Sequence, residues 1–339
     1  MPACITILTL SAAVAHAGVP LGACCNLAAQ TCVDDVPDTA CTASGESWFE
    51  GLACCEIDCV DAAAGFDASG VALWSRIPVE DFPDDPITGP QTRANEMWGY
   101  VSPSGREYAI LGLERGAAFV DVTDPQCPVI VAYIEGQGIN TIWRDMATFG
   151  PYAYIVTDGG GVGLQIVDMT NIDAGVVTLV NTTDLGAGFV DAHNVFVNAD
   201  TGFLYLCIPN LSAGQGLTVV DLTDPVNPTV AGSWIDTAPG VRCHDVQVVT
   251  YTQGPNAGRE IAFCFAEDDG LKIADVTDKA NMFTVATLVY PNTTYTHQGW
   301  LTEDRSFLFI GDELDELQDP DLQVATIGPA GENLVRYAI

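Results

Sequence analysis

Three of the four histidines in this 339-residue chain occupy matching places in a repeated motif. His193, His244 and His297 belong to the segments AHNV, CHDV and THQGW, and each segment precedes a run of strand-forming residues. Neutral imidazoles that converge from three segments are ligands for zinc, iron or manganese. The alternative is that each histidine makes a hydrogen bond to a neighbouring structural unit, which is the commoner role for such a residue. The sequence leaves both roles open.

A second chemical candidate is the acidic segment GDELDELQD at residues 311–319. Asp312, Glu313 and Asp315 offer the hard carboxylate oxygens that Ca²⁺ prefers. The segment lacks the ligand spacing of an EF-hand, so a solvated acidic loop is the alternative interpretation. We therefore expect calcium as the first candidate cofactor and a transition metal on the three histidines as the second.

Both candidates lie in a chain that repeats about every 50 residues. A strand of the type TVVDLTDP recurs four times, with its aspartate at Asp121, Asp168, Asp221 and Asp275. A second motif precedes each copy and recurs once more near the C-terminus; its aligned residues are Trp98, Arg144, His193, His244 and His297. Each unit also contains two further β-type segments. Four short strands per unit of this length are typical of β-propeller blades.

We therefore predict an all-β fold: a β-propeller of four-stranded blades, with five repeats visible, preceded by a small disulfide-rich module. The first strand of each blade lines the central channel of a propeller. The expected channel-lining residues are Trp98, Arg144, Asp145, His193, Asn194, His244, Asp245, His297 and Gln298. The repeated aspartates are expected to be structural, because Asp and Thr side chains bond nearby backbone amides in turns.

The chain divides into four parts. Residues 1–17 resemble a signal peptide that ends in the small-x-small pattern Ala15-His16-Ala17. Residues 18–60 are rich in cysteine, residues 61–70 are a small and polar linker, and residues 71–339 hold the repeats. The last repeat lacks the aspartate motif. The sequence is therefore compatible with a five-bladed ring and with a propeller that is incomplete at its C-terminal end.

Cysteine usage predicts disulfides rather than zinc. Seven of the 12 cysteines fall between residues 24 and 59, in a stretch without histidine or a CxxC pair. The residues expected in this framework are Cys24, Cys25, Cys32, Cys41, Cys54, Cys55 and Cys59. A further disulfide is expected between Cys243 and Cys264, on neighbouring strands of one blade.

Charge excludes two classes of partner. The chain has 45 acidic and 11 basic residues, for a net charge of −34, which repels nucleic acid and anionic membrane surfaces. No segment approaches the ~18 continuous apolar residues of a membrane span. Together with the leader and the cysteines, this predicts a secreted or cell-surface protein.

The motifs WRD, AHN, CHD, THQGWLTED and GDELDE, with their IVD-type strands, resemble the choice-of-anchor B family, whose blades carry LVIVD repeats. The similarity covers roughly residues 71–317. The cysteine-rich stretch that begins GACC resembles short modules found beside other domains of exported bacterial proteins. The resemblance implies an exported bacterial β-propeller and supplies no biochemical activity.

Binding or scaffolding outside the cell, with calcium, is the function we expect. The expected partner is an extracellular protein, a glycan or another copy of the chain, and no catalytic residue is assigned. One alternative is a metal-dependent hydrolase, in which the three histidines and Asp145 or Asp245 would hold a metal that activates water. A second is a structural component of an extracellular matrix or filament.

Overall fold

The computed structural model describes residues 21–26, 31–42, 46–50, 74–211, 216–236, 241–291, 293–313 and 335–338. The predicted signal peptide and linker lie outside these residues, as do Cys54, Cys55, Cys59 and Asp315.

A three-stranded antiparallel sheet precedes the propeller, in the order β2-β1-β3. Its strands are β1 (Leu21–Asn26), β2 (Thr31–Pro37) and β3 (Glu46–Glu50), and a 3₁₀ turn (Asp38–Ala40) follows β2. A disulfide joins Cys24 to Cys41, with 5.4 Å between their Cα atoms. Cys25 and Cys32 are backbone partners across β1 and β2. The described part of the cysteine-rich segment is thus a small sheet held by a disulfide.

Five further sheets form the propeller, and the predicted all-β architecture is confirmed. The first two blades are β4 (Ala94–Val101), β5 (Glu107–Leu113), β6 (Gly116–Asp121), β7 (Val129–Glu135), and β8 (Arg144–Phe149), β9 (Tyr152–Thr157), β10 (Leu164–Asn171), β11 (Val176–Thr183). The next two are β12 (Asn194–Asn198), β13 (Phe203–Cys207), β14 (Leu217–Asp221), β15 (Thr229–Trp234), and β16 (Asp245–Thr250), β17 (Glu260–Phe265), β18 (Leu271–Asp275), β19 (Phe283–Leu288).

The described part of the fifth blade has three strands, β20 (Thr296–Leu301), β21 (Phe307–Asp312) and β22 (Val335–Ala338). Short 3₁₀ turns lie at Val79–Asp81, before the first blade, and at Ile172–Ala174, between β10 and β11. In every blade the first strand is innermost, and the first strands of successive blades contact one another from β4 to β20.

The burial of a strand depends on its position within the blade, and the residues of each strand match that burial. The second and third strands of a blade are covered by the neighbouring blades, so β9 and β17 are almost wholly buried. The fourth strands face solvent on one side, and β11 alternates between exposed and half-buried residues. At the first blade, Phe82 and its preceding segment pack on Leu113, Ala118 and Val120.

The repeated aspartates have the structural role that the sequence predicts. In each of the four copies, the carboxylate accepts the backbone N–H of the threonine two residues later, at 2.7–3.1 Å. One or two residues before each aspartate, the third strand has an irregularity in its pairing with the fourth strand. Such bulges increase local twist, so the motif both bends the outer strand and closes its turn.

Candidate functional site

The inner strands enclose a cavity of about 350 Å³. Each of the five first strands contributes one side chain with an oxygen-bearing polar group; the five are Glu96, Asp145, Asn194, Asp245 and Gln298. Two residues further along three of these strands, the cavity is lined by aromatic rings, which belong to Trp98, Phe196 and Trp300. We call these two sets the polar ring and the aromatic set.

Two aspartates of the polar ring accept backbone hydrogen bonds, and one of them, Asp145, joins two blades. Asp145 accepts the backbone N–H of Met146 at 2.6 Å and that of Val195, on the next blade, at 2.7 Å. Asp245 accepts the N–H of Val246 at 2.7 Å. Burial raises the pKa of Asp145 well above its usual range and raises the pKa of Asp245 to about 7. These carboxyls therefore bind protons more readily than exposed aspartates do.

The three rings of the aromatic set contact one another edge to face. Their centroids are 6.3 Å apart for Trp98 and Phe196, 6.5 Å for Trp98 and Trp300, and 6.1 Å for Phe196 and Trp300. The indole N–H of Trp98 donates to Thr148 Oγ1 at 3.1 Å. Trp300 is 52% exposed, so the aromatic set is open to solvent at this ring.

The placement of Trp98 corrects the alignment derived from sequence. Tyr100 pairs with Tyr108 in the first blade, and Asn198 pairs with Phe203 at the equivalent place in the third blade. Trp98, two residues before Tyr100, therefore lies at the level of Phe196, two residues before Asn198. The expected level, that of the three histidines, would be three residues earlier along the strand. The pairing of β4 with β5 is regular from Met97 to Val101 and sets this level, which the spacing between motifs does not reveal.

The three histidines form a cluster beside the polar ring. The ring centroids of His193 and His244 are 4.1 Å apart, and those of His244 and His297 are 4.5 Å apart. His193 Nδ1 lies 2.8 Å from Asp158 Oδ2, and His297 Nε2 lies 3.7 Å from Glu313 Oε2.

The middle histidine is neutral at physiological pH. Burial, followed by the proximity of His193 and His297, lowers the pKa of His244 to about 3. Its Nδ1 lies 3.1 Å from the carbonyl oxygen of His297, which accepts a hydrogen bond from it. The proton of the neutral ring is therefore on Nδ1, and Nε2 keeps its lone pair. Among the described residues, no three His, Cys, Asp or Glu side chains are arranged to hold a metal ion.

Arg144 lies between the first two blades instead of in the cavity. Its side chain is fully buried, and Nε donates to the carbonyl oxygen of Leu113 at 3.0 Å. Burial lowers the pKa of Arg144 to about 10. A side chain at Gly136 would overlap the guanidinium, so the glycine provides the space that Arg144 occupies.

Asp312 of the acidic segment is occupied by internal hydrogen bonds. Its two oxygens accept from Thr294 N and Oγ1, from Tyr295 N at 2.9 Å, and from Tyr290 Oη at 2.9 Å. Burial raises the pKa of the Asp312 carboxyl, but the hydrogen bonds from these donors outweigh burial, and the pKa is lowered overall. Glu313 is half exposed and faces His297. Asp312 therefore has a structural role, which the run of acidic residues does not reveal.

The structure forms the disulfide predicted between Cys243 and Cys264. Cys127, for which the sequence predicts no disulfide, is also disulfide-bonded. Sequence reasoning missed Glu96, Phe196 and Trp300 as cavity residues. Each of the three lies on the first strand of its blade, on the same side of the strand as a residue that we expected in the channel. The pairing of the first strand with the second is the signal that could have identified them.

Comparison with known proteins supports the architecture. The LVIVD repeat, which is associated with β-propeller folds, matches residues 205–236, a range that begins within β13 and ends just after β15. A search of curated proteins found no match. No helix among the described residues is long and apolar enough to cross a membrane.

Similar solved structures include the periplasmic gluconolactonase PpgL of Pseudomonas aeruginosa, at 12% identity and a TM-score of 0.47. That match covers 64% of this chain and 63% of the gluconolactonase, so the chain spans less than two thirds of the latter's length. A putative 6-phosphogluconolactonase of Bacteroides fragilis is 11% identical, with a TM-score of 0.41 and coverages of 64% and 72%. The β-propeller domain of Myceliophteria thermophila Cps50 is 12% identical, with a TM-score of 0.39 and coverages of 70% and 71%. These similarities concern the fold alone.

Proposed function

We propose that this protein is an exported binding protein that holds its ligand, a glycan or a protein, in the central cavity. The observation that carries the proposal is the polar ring, to which every blade contributes one side chain. A cavity of about 350 Å³ is within the range of small-molecule sites, and a few polar groups beside aromatic rings are the usual lining of such sites.

The lining suits a glycan or a projecting side chain of a protein. Asn194 and Gln298 each offer a donor and an acceptor, while the carboxyl groups accept from hydroxyls or amines. Aromatic rings bury the apolar faces of a ligand at little cost in conformational entropy. The disulfides at Cys24 and Cys243 support an exported location, because such bonds persist in oxidising compartments.

A cavity-filling substitution tests this role. A Cβ at Gly311, which lines the cavity, would lie at ordinary contact distances of 3.6 and 3.7 Å from Gln298, so Gly311→Leu should fold and fill the space. Gly99→Leu is the matched control, because nothing lies within 4 Å of a Cβ there. On a glycan array and a panel of extracellular matrix proteins, wild type and Gly99→Leu should share a ligand that Gly311→Leu loses. Equal binding by all three proteins would reject the cavity as the site.

We further propose that calcium accompanies this role, through Glu313 and Asp315 of the acidic segment. A metal-dependent hydrolase is the second candidate, and it is supported by the hydrogen bonds on Nδ1 of His193 and His244. Acceptors at Nδ1 leave Nε2 available as a ligand atom, as in histidine metal sites. A metal bound there would supply Lewis-acid activation of water, and it would require a rearrangement, because no three His, Cys, Asp or Glu side chains among the described residues are arranged to hold one.

Elemental mass spectrometry of the purified protein separates the two candidates. Near-stoichiometric calcium that is lost on Glu313→Gln would support the binding protein with calcium. A transition metal near one per chain, lost on His193→Ala with the fold retained, would support the hydrolase.

A further inference from the structure

We propose that the central cavity is a receptor for an alkylammonium group, that is, a protonated amine on a short apolar stem. The inference rests on the proposed binding function and deepens it by naming the charged group of the ligand.

The first argument is the charge of the cavity wall. Glu96, Asp145 and Asp245 line the cavity, and no lysine, arginine or histidine is among the described residues that line it. None of the three carboxyls forms an ion pair with a basic side chain within 4.0 Å in the described part of the chain. Their hydrogen bonds come from neutral donors, which are backbone amides and the side chain of Asn194. Burial without a basic partner raises the pKa of Asp145 and of Asp245, and a cationic ligand beside them would favour their ionised forms.

The second argument is the aromatic set. Trp98 lies two residues from Glu96, and Phe196 and Trp300 lie two residues from Asn194 and Gln298, so the aromatic rings line the same cavity as the carboxyls. An ammonium ion is attracted to the face of an aromatic ring, by roughly 0.5–2 kcal/mol. The rings also bury the apolar stem, which carboxylates alone would not do. A cavity lined by both carboxyls and aromatic rings thus matches both parts of an alkylammonium ion.

The third argument separates an ammonium from a metal ion and from a neutral polyol. Calcium needs six to eight oxygens at about 2.3–2.6 Å, and the described acidic side chains are not arranged to converge on a metal ion. A cavity of about 350 Å³ is also far larger than one ion. A neutral polyol would not favour the ionised forms of the wall carboxyls, as a cation would. The net charge of −34 would in addition steer a cation toward the protein.

The test is a calorimetric titration of the whole mature protein with pentylammonium chloride at pH 7.5, beside 1-pentanol as the neutral isostere. Glu96 is exposed, so Glu96→Gln should fold; it removes one charge from the wall. Asp245→Asn removes a buried charge, Trp300→Ala removes an exposed ring, and Glu303→Gln is an exposed control outside the cavity. Circular dichroism checks the fold of each variant.

We expect saturable binding of pentylammonium, weakened at least tenfold by Asp245→Asn and severalfold by Glu96→Gln and by Trp300→Ala. Glu303→Gln should bind as wild type does, and 1-pentanol should not bind. Glucosamine against glucose, and Nα-acetyl-lysine amide against its norleucine counterpart, distinguish an amino sugar from a lysine side chain as the natural source. Equal binding of pentanol, binding insensitive to both acidic variants, or binding of calcium alone would overturn the proposal.

The two proposals fail separately. If no amine binds while a ligand from the arrays is lost on Gly311→Leu, the ammonium inference is wrong and the binding function stands. If neither the arrays nor the amines give binding that depends on the cavity, both are wrong.

Discussion

Replacing Glu260 by glutamine is predicted to destabilise the propeller more than any exposed acidic substitution. The Glu260 side chain is buried between the third and fourth blades. Its Oε1 accepts from Tyr205 Oη at 2.5 Å, Asn198 Nδ2 at 2.7 Å and Thr201 Oγ1 at 2.9 Å. Its Oε2 accepts from Lys279 Nζ at 2.5 Å. One carboxylate thus satisfies four donors.

The size of the effect follows from the ion pair. The Lys279 side chain is only 11% exposed, so its ammonium depends on Glu260 for a counter-ion. Glutamine keeps the shape and one acceptor oxygen, but it places an NH₂ group against the ammonium. Removing one partner of a buried pair costs about 3–5 kcal/mol. At about 2–4 °C per kcal/mol for a domain of this size, Tm should fall by roughly 6–20 °C.

Urea denaturation followed by circular dichroism measures the free energy of unfolding. The variants are Glu260→Gln, Lys279→Met and the double variant, with Glu107→Gln as an exposed control that should change stability by no more than about 0.5 kcal/mol. The double variant should be more stable than Glu260→Gln alone, because the unpaired charge is gone. A loss below about 1 kcal/mol for Glu260→Gln, or additive effects in the double variant, would refute this account of the network.

Three other predictions concern stability. Because the pKa of His244 is lowered to about 3, the unfolded chain binds more protons than the folded one between pH 3 and about 6.5. The free energy of unfolding should therefore fall as the pH drops through that window, and His244→Gln should reduce the slope; parallel pH profiles would contradict this. Replacing Cys243 and Cys264 by serine should cost about 3 kcal/mol in urea denaturation, since the disulfide spans 21 residues; an unchanged midpoint would argue against that cross-link. A Cβ at Gly232 would overlap the backbone oxygen of Lys279, so Gly232→Ala should lower stability by about 1–3 kcal/mol while Gly99→Ala changes little; equal midpoints for the two variants would count against this close packing.

Much of the architecture could be predicted because it repeats. Four copies of one strand motif fixed the blade period, and the aspartate turns follow from local chemistry that acts within three residues. The pairing of Cys243 with Cys264 followed from their positions on neighbouring strands. These features depend on short separations or on periodicity, both of which can be read from one sequence.

The rest depends on contacts between distant segments. The pairing of β4 with β5 puts Trp98 at the level of Phe196, and this strand register leaves no mark in residue spacing. Arg144 points between two blades because Gly136, on another strand connection, leaves room for it. Asp312 belongs to an acidic run by sequence, yet its partners are Thr294 and Tyr290, which approach it only in the folded blade.

The most direct test of the central claim is a crystal structure of the protein with the ligand that it selects on the arrays. The account predicts ligand density in the central cavity, with contacts to the Trp300 ring and to the carboxyls of Glu96 and Asp245. Density on the outer strands, with the cavity unchanged, would contradict it.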